Sequence, residues 1–223
     1  MSSEDFSDRI SEWHPSRDLR LLVGGTDHFW LNKRISDILG SVALLPTLGA
    51  LALLLLVLNL RLNPGPLFFY QHRMGRFGKR FVAIKFRTML PEAPGKQVKR
   101  GYRDPLEHHR ITPFGRFLRQ TRIDELPQII NVLRGEMSLI GPRPDYYDHA
   151  LEYLEAIPEY RARHAIRPGI SGLAQVTLGY AIGLDQTRAK AHADLTYIRN
   201  ACLWLDIKIF WLTLVTVTLR RGI

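Results

Sequence analysis

Residues 38–58 carry no ionisable side chain. As an α-helix at 1.5 Å per residue the stretch is about 31 Å long, close to the hydrocarbon thickness of a bilayer. Pro46 falls inside it, with Gly40 and Gly49 to either side. A proline removes one helical hydrogen bond and crowds the preceding turn. Basic residues lie on both flanks: Lys33 and Arg34 before, Arg61, Arg73 and Arg76 after. The positive-inside bias therefore selects no orientation. Two topologies are open, a helix that crosses the bilayer and one that enters a single leaflet, bends at Pro46 and returns.

The period changes after the turn Asn63-Pro64-Gly65-Pro66. Leu67-Phe68-Phe69-Tyr70-Gln71 reads as a strand, residues 75–79 as a turn and residues 81–89 as the return strand. Val82, Ile84 and Phe86 face one way, and Lys85 and Arg87 the other. That second face is either solvated or turned toward phosphates. Further on, Leu126, Ile129, Ile130 and Leu133 recur at helical spacing. Pro127 is tolerated only in a first turn, so this helix is expected to begin near Asp124, with Gly135 ending it. A short strand is expected at 137–140, helical character interrupted by Pro158 over 150–163, a strand at 173–177 and a polar helix over 187–199. Residues 203–219 are rich in Trp, Leu, Ile and Val and bounded by charges, which fits an interfacial helix or a core helix better than a spanning one. Phe29-Trp30-Leu31 is an interfacial anchor or a surface turn. The pattern predicts a mixed α/β fold, mainly helical, with a short β-hairpin.

With 223 residues, 46% of them hydrophobic, the chain suits one domain with an appended segment. Lys+Arg 31 against Asp+Glu 21 leaves a net charge of +10, which favours phosphate-rich partners. No zinc-finger, bZIP or RNP-type motif and no interleaving of aromatic with basic residues points to nucleic acid. Anionic membrane lipid accounts for the charge better. A single cysteine, Cys202, excludes an internal disulfide and suits a reducing compartment. Residues 1–30 are polar and mixed in charge, unlike a cleavable signal. Asp104, His108 and His109 read as solvated groups rather than a metal site.

The candidate chemistry sits at Thr121-Arg122-Ile123-Asp124-Glu125-Leu126-Pro127-Gln128, with Arg110, Arg116, Arg119, Arg134 and Arg143 around it. Adjacent helical residues point about 100° apart, so the two acids suit two different tasks. Asp124 is placed to cap the helix, worth about 1 kcal/mol, with Glu125 as a first-turn acid. The alternative is that Asp124 attacks phosphorus and Glu125 binds Mg²⁺, which offsets the repulsion between carboxylate and phosphate. Arg119 and Arg143 are then candidates to grip phosphate oxygens, with Lys85 and Arg87 from the hairpin. Prolines on both sides of Arg143 stiffen it for such a role, or for an ordinary corner.

Several motifs occur together and in order. They are Lys33-Arg34-Ile35-Ser36-Asp37, Gln71-His72-Arg73-Met74-Gly75, Lys85-Phe86-Arg87-Thr88-Met89, Asp124-Glu125-Leu126-Pro127-Gln128, Gly135-Glu136-Met137-Ser138-Leu139-Ile140-Gly141-Pro142-Arg143-Pro144 and Arg167-Pro168-Gly169-Ile170-Ser171-Gly172. From about Lys33 to Arg221 the chain resembles the bacterial sugar transferase family, the monotopic phosphoglycosyl transferases. The resemblance implies transfer of a sugar-1-phosphate from a UDP-sugar to undecaprenyl phosphate, with release of UMP, as the first step of surface glycan synthesis. It implies a ping-pong mechanism with Asp124 as nucleophile and Glu125 as the Mg²⁺ ligand. It also implies a monotopic protein at the cytoplasmic face of the bacterial inner membrane, with a proline-broken re-entrant helix and interfacial amphipathic helices. The corresponding division is a polar extension at 1–32, the re-entrant helix at 33–62 and a cytoplasmic catalytic domain at 63–223. Undecaprenyl phosphate, UDP-sugar and anionic lipid are the expected partners, nucleic acid is not, and a homodimer is left open.

The chain departs from the family pattern in places. Leu45 precedes Pro46 where many relatives have Ser, so a hydroxyl that can satisfy backbone at the bend is missing. Thr177-Leu178-Gly179-Tyr180 stands where many carry an Asn-Gly-Arg-like stretch, so sugar preference does not carry over. Only about 30 polar residues precede the membrane segment, as in the small form of the family. Two rival readings are a catalytically silent basic adaptor on anionic lipid and a bitopic protein with a cytoplasmic enzyme domain.

Overall fold

The computed structural model describes residues 22–90, 108–178 and 183–219. Helix α1 (Asp27–Leu62) opens with Thr26, whose side-chain oxygen accepts the Phe29 N–H at 3.2 Å, and with Asp27 in the positive first turn. It thus begins before residue 33, and residues 27–32 belong to the helix rather than to the polar extension. It remains one helix of 36 residues through Pro46, about 54 Å at 1.5 Å per residue. A missing N–H costs a single rung of the ladder, and the turns on either side hold the helical backbone.

The buried positions of α1 are Lys33, Asp37, Ser41, Leu48, Leu55 and Asn59, spaced by fours and sevens along one stripe. The remaining faces are apolar and open, up to 76% exposure at Leu60. This is the one described helix long and apolar enough to cross a membrane, and its exposed surface calls for a non-aqueous neighbour. Polar groups at its two ends tie α1 to the rest of the protein. Lys33 pairs with Asp206 at 2.7 Å, Arg34 donates to the Val132 carbonyl at 2.7 Å, and Asp37 accepts the Leu139 N–H at 2.9 Å. At the far end Asn63 donates to the Arg87 carbonyl at 2.7 Å.

The hairpin forms around the expected turn, but the return strand ends at Phe86 rather than residue 89 and is buried on both faces, with Phe81 and Ala83 as well as Ile84 and Phe86 in the core. β1 (Phe68–Met74) pairs antiparallel with β2 (Arg80–Phe86), in register from Phe68 opposite Phe86 to Met74 opposite Arg80. Phe86 joins Leu118, Ile129, Leu48 and Leu55 in the core that seats α1 on the domain. α2 (Pro113–Gln120) is capped by the Thr112 hydroxyl, which accepts the Gly115 N–H at 2.9 Å. The acidic segment is a 3-10 helix, Ile123–Gln128, leading into a short α3 (Ile129–Leu133). The α-helix expected from Asp124 onward starts only at Ile129, after the 3-10 segment.

β3 (Ser138–Ile140) pairs in parallel with β4 (Gly169–Ser171). The two glycine-rich turns beside them touch backbone to backbone, and a Cβ on Gly169 would lie 2.1 Å from the Gly141 nitrogen. That close approach explains why Gly141-Pro142-Arg143-Pro144 and Arg167-Pro168-Gly169 occur as a pair. α4 (Tyr147–Ala156) runs into a 3-10 segment, Pro158–Ala165, as Pro158 predicts. Residues 173–177, expected as a strand, lie instead in α5 (Leu173–Leu178), where the Gln175 and Val176 N–H groups turn back onto the Gly172 carbonyl. A short apolar run does not by itself distinguish the two structures. α6 (Leu184–Arg199) and α7 (Leu203–Thr218) complete the fold, with Trp204 and Trp211 of α7 exposed.

Candidate active site

The site begins with a backbone feature. Arg122 adopts a left-handed conformation, φ 54°, sparsely populated for a residue with a side chain. It follows α2 and turns the chain into the 3-10 segment, whose first residues place Asp124 and Glu125 inward, both buried. Arg122 occupies the cap position and supplies no side-chain cap. Asp124 lies inside the segment, so the capping role open to it in the sequence is not the one it takes.

The two acids have different surroundings. Lys85 donates to Glu125 Oε1 at 2.7 Å, and Arg143 grips both oxygens, with Nη1 to Oε2 at 2.8 Å and Nη2 to Oε1. Arg122 Nη1 adds a longer contact to Oε2 at 3.4 Å. Burial alone would raise the Glu125 carboxyl, but Arg143 and Lys85 more than offset it and hold the group well below the usual carboxylate range. Asp124 forms no ion pair among the described residues. Burial and the neighbouring Glu125 charge push its carboxyl up to about 6, against the pull of Lys85, Arg143 and Arg119. Lys85 is brought down to about 8 by burial, with Glu125 opposing and Arg143 and Arg73 reinforcing the fall. Adjacent carboxyls driven apart in this way are equipped for different roles.

Asn131 aligns the pieces. Its Oδ1 accepts the Ile84 N–H at 3.1 Å, and its Nδ2 donates to the Val82 carbonyl and to Glu136, both at 2.7 Å. This fixes β2 against α3 and brings Lys85 to Glu125. Arg143 is set by its backbone: Arg163 donates to the Arg143 carbonyl at 2.6 Å and Arg73 to the Pro144 carbonyl at 2.9 Å. Arg163 is only 2% exposed and is held by Asp194, at 2.7 Å, and by Asp145. Tyr160 and Lys190 also donate to Asp145. Sequence reasoning missed Asn131 and this network. The available signal was Asn131 itself, a polar residue inside the apolar run of α3.

The predicted phosphate binders divide. Lys85 and Arg143 meet at Glu125 and line a cleft with Arg73 and Gln128. Arg119 is half-buried on α2 and near enough to lower the Asp124 carboxyl. The structure does not bring Arg87 to the acids. Its guanidinium donates to the Pro66 carbonyl at 2.7 Å, to Asn63 Oδ1 at 3.0 Å and to the Met89 carbonyl at 2.8 Å, closing the turn after α1. Among the described residues no three His, Cys, Asp or Glu side chains converge on a metal position. Mg²⁺ in phosphoryl-transfer sites is commonly held by one or two carboxylates plus substrate oxygens. The adjacent, ionised Glu125 has suitable hard-oxygen chemistry. Its oxygens are engaged by Arg143 and Lys85, so metal binding means giving up one of these contacts.

The chain matches the bacterial sugar transferase family over residues 28–220, and belongs to it. It is 43% identical over 192 residues to the UDP-N-acetylgalactosamine-undecaprenyl-phosphate N-acetylgalactosaminephosphotransferase of Aeromonas hydrophila, covering 85% of this chain and 44% of the relative. It is 44% identical over 182 residues to the UDP-glucose:undecaprenyl-phosphate glucose-1-phosphate transferase of Caulobacter vibrioides, 80% of this chain and 67% of the relative. An uncharacterized sugar transferase of Bacillus subtilis, EpsL, is 38% identical over 192 residues, 86% and 89% of the two chains. The chain therefore spans under half the length of some curated relatives and most of the length of others.

Proposed function

We propose that this protein transfers a sugar-1-phosphate from a UDP-sugar to undecaprenyl phosphate at the cytoplasmic face of the bacterial inner membrane. The observation that carries the reading is the split acidic pair: Asp124 buried without an ion pair among the described residues, and Glu125 held ionised by Arg143 and Lys85. A carboxylate oxygen of Asp124 attacks the sugar-bearing phosphorus of the donor. The bond from that phosphorus to the bridging oxygen breaks, UMP leaves with the electron pair, and an acyl phosphate carrying the sugar remains on Asp124. A phosphate oxygen of undecaprenyl phosphate then attacks the same phosphorus and the Asp124 carboxylate is released. Glu125, alongside, is the residue that would hold Mg²⁺, which neutralises phosphate charge when bound. Arg143, Lys85 and Arg119 supply the positive field that admits the donor phosphates.

The proposed topology is monotopic, with both ends of α1 on the side of the catalytic domain. Its support is that Lys33, Arg34 and Asp37 at one end and Asn63 at the other bond to that same domain. Leu48 and Leu55 pack on it between those ends. Labelling a cysteine placed at Ser3, with Cys202 replaced, tests this: reaction only after the membrane is opened supports it, and reaction from the periplasm refutes it. The activity is tested by UMP release from a panel of UDP-sugars with undecaprenyl phosphate. At least one sugar is expected to turn over with wild type and none with Asp124→Asn; undiminished turnover by the folded variant would refute the nucleophile assignment.

A further inference from the structure

A cavity of about 130 Å³ opens between the first turns of α1 and the β3–β4 turns, lined among others by Trp30, Lys33, Arg34, Asp37, Arg76 and Arg167. It shares no lining residue with the cleft beside the acidic pair. We propose that this cavity binds the headgroup phosphate of an anionic glycerophospholipid from the surrounding membrane.

The charge balance is the first argument. Lys33 is paired with Asp206, and Asp37 already accepts the Leu139 N–H. Arg34 donates to the Val132 and Leu133 carbonyls, at 2.7 Å and 3.2 Å, and Arg167 donates to the Gly135 carbonyl at 2.9 Å. These acceptors are neutral, and among the described residues neither guanidinium forms an ion pair. Burial, and then the nearby Arg34 charge, pull the Arg167 group below its ordinary value against the influence of Asp37. The guanidinium groups of Arg34 and Arg167, with Arg76 also lining the cavity, suit a single anion, which Arg34 and Arg167 can bind through the donors their carbonyl contacts leave over.

Size and position identify the anion's carrier. The cavity is well below the roughly 300–1,000 Å³ of a site for a whole small-molecule ligand, so it fits a phosphate and not a nucleotide sugar. The first turns of α1, which carry Lys33 and Arg34, expose Leu31 and Ile35. The first turns of α7, which carry Asp206, the partner of Lys33, expose Leu203, Trp204 and Ile207, with Trp204 75% exposed. Lys33, which lines the cavity, and its partner Asp206 thus tie together two helices that both carry exposed apolar side chains, and a lipid whose acyl chains lie along those helices can bring its phosphate toward Arg34 and Arg167. The acceptor phosphate of the proposed reaction must instead reach Asp124, lined by other residues. A bulk glycerophospholipid therefore fits this place, and the inference stands whether or not the transferase reading holds.

The test uses the full chain in detergent, titrated separately with phosphatidylglycerol, phosphatidylcholine, undecaprenyl phosphate and inorganic phosphate. Thermal unfolding is followed, with native mass spectrometry of retained lipid. Phosphatidylglycerol is expected to give a saturable rise in midpoint and one retained molecule, and phosphatidylcholine neither. Arg167→Gln is expected to weaken phosphatidylglycerol binding about tenfold or more. Arg167→Lys, which keeps the charge, should bind more tightly than Arg167→Gln. No saturable effect of phosphatidylglycerol, equal affinities for the two variants, or an equal effect of inorganic phosphate would overturn the proposal. Displacement of phosphatidylglycerol by stoichiometric undecaprenyl phosphate would assign the cavity to the acceptor and also overturn it. The wild-type titrations decide the matter if a variant does not fold.

Discussion

Asp124 is 7% exposed, and ionising it at neutral pH costs folding free energy that an asparagine in the same place would not incur. Raising its carboxyl from the ordinary 3.8 to about 6 corresponds to about 3 kcal/mol, at about 1.4 kcal/mol per pKa unit. The sign follows from linkage. A raised folded-state pKa favours the protonated folded protein, so the contribution is whole below pH 3.8 and is lost as pH rises through about 6. Compared with Asp124→Asn, wild type is therefore nearly equal in stability at about pH 4 and less stable by about 3 kcal/mol at about pH 8. For a chain of this size that gap is about 6–12 °C in thermal midpoint. The assay is thermal unfolding of the two proteins in one detergent across that pH range, without ligands. An inactive Asp124→Asn protein whose advantage grows with pH supports the account. A variant no more stable than wild type at about pH 8, or an advantage independent of pH, would refute the claim that Asp124 is held at a cost.

The neighbouring acid should behave in the opposite way. Glu125→Gln leaves Lys85 and Arg143 buried around a neutral amide and is expected to destabilise by about 3 kcal/mol, read from chemical denaturation. Asn131→Leu removes the partners of the Ile84 N–H and the Val82 carbonyl and is expected to cost about 2–3 kcal/mol and to lower activity by loosening Lys85. The pH profile of kcat/KM should fall about tenfold per pH unit below about 6, as Asp124 takes up a proton and ceases to be a nucleophile. Chelation of divalent ions should abolish UMP release, and added Mg²⁺ should restore it.

The parts of the fold that could be read from the sequence are those set by local pattern. Residues 38–58 are too long and too apolar for anything but a membrane or core helix, and residues 81–86 are a short apolar run beyond a Gly-containing turn, as a strand with both faces covered is. The polar helix and the tryptophan-rich final helix also lie where periodicity and flanking charge place them. Locally ambiguous stretches were less legible. Residues 173–177 have the composition of a strand and become a helix, and the α-helical start expected at Asp124 is a 3-10 segment. At the site, Asp124 and Glu125 were visible as acids among arginines, but their difference was not. It is made by Lys85, 40 residues away, and Arg143, 18 away, brought in by β2 and by the paired glycine turns. Arg87 shows the same limit. Strand alternation put it beside Lys85 as a phosphate binder, while its guanidinium is taken up by backbone carbonyls that sequence cannot bring into view.

The central claim, that Asp124 forms a covalent bond to the sugar phosphate, is tested most directly by omitting the acceptor. Wild-type protein mixed with a UDP-sugar it turns over, without undecaprenyl phosphate, should release one UMP per active site in a burst. Its intact mass should rise by one sugar phosphate, mapped by peptide sequencing to Asp124. Turnover with acceptor but no burst, or an adduct on any other residue, would contradict the account.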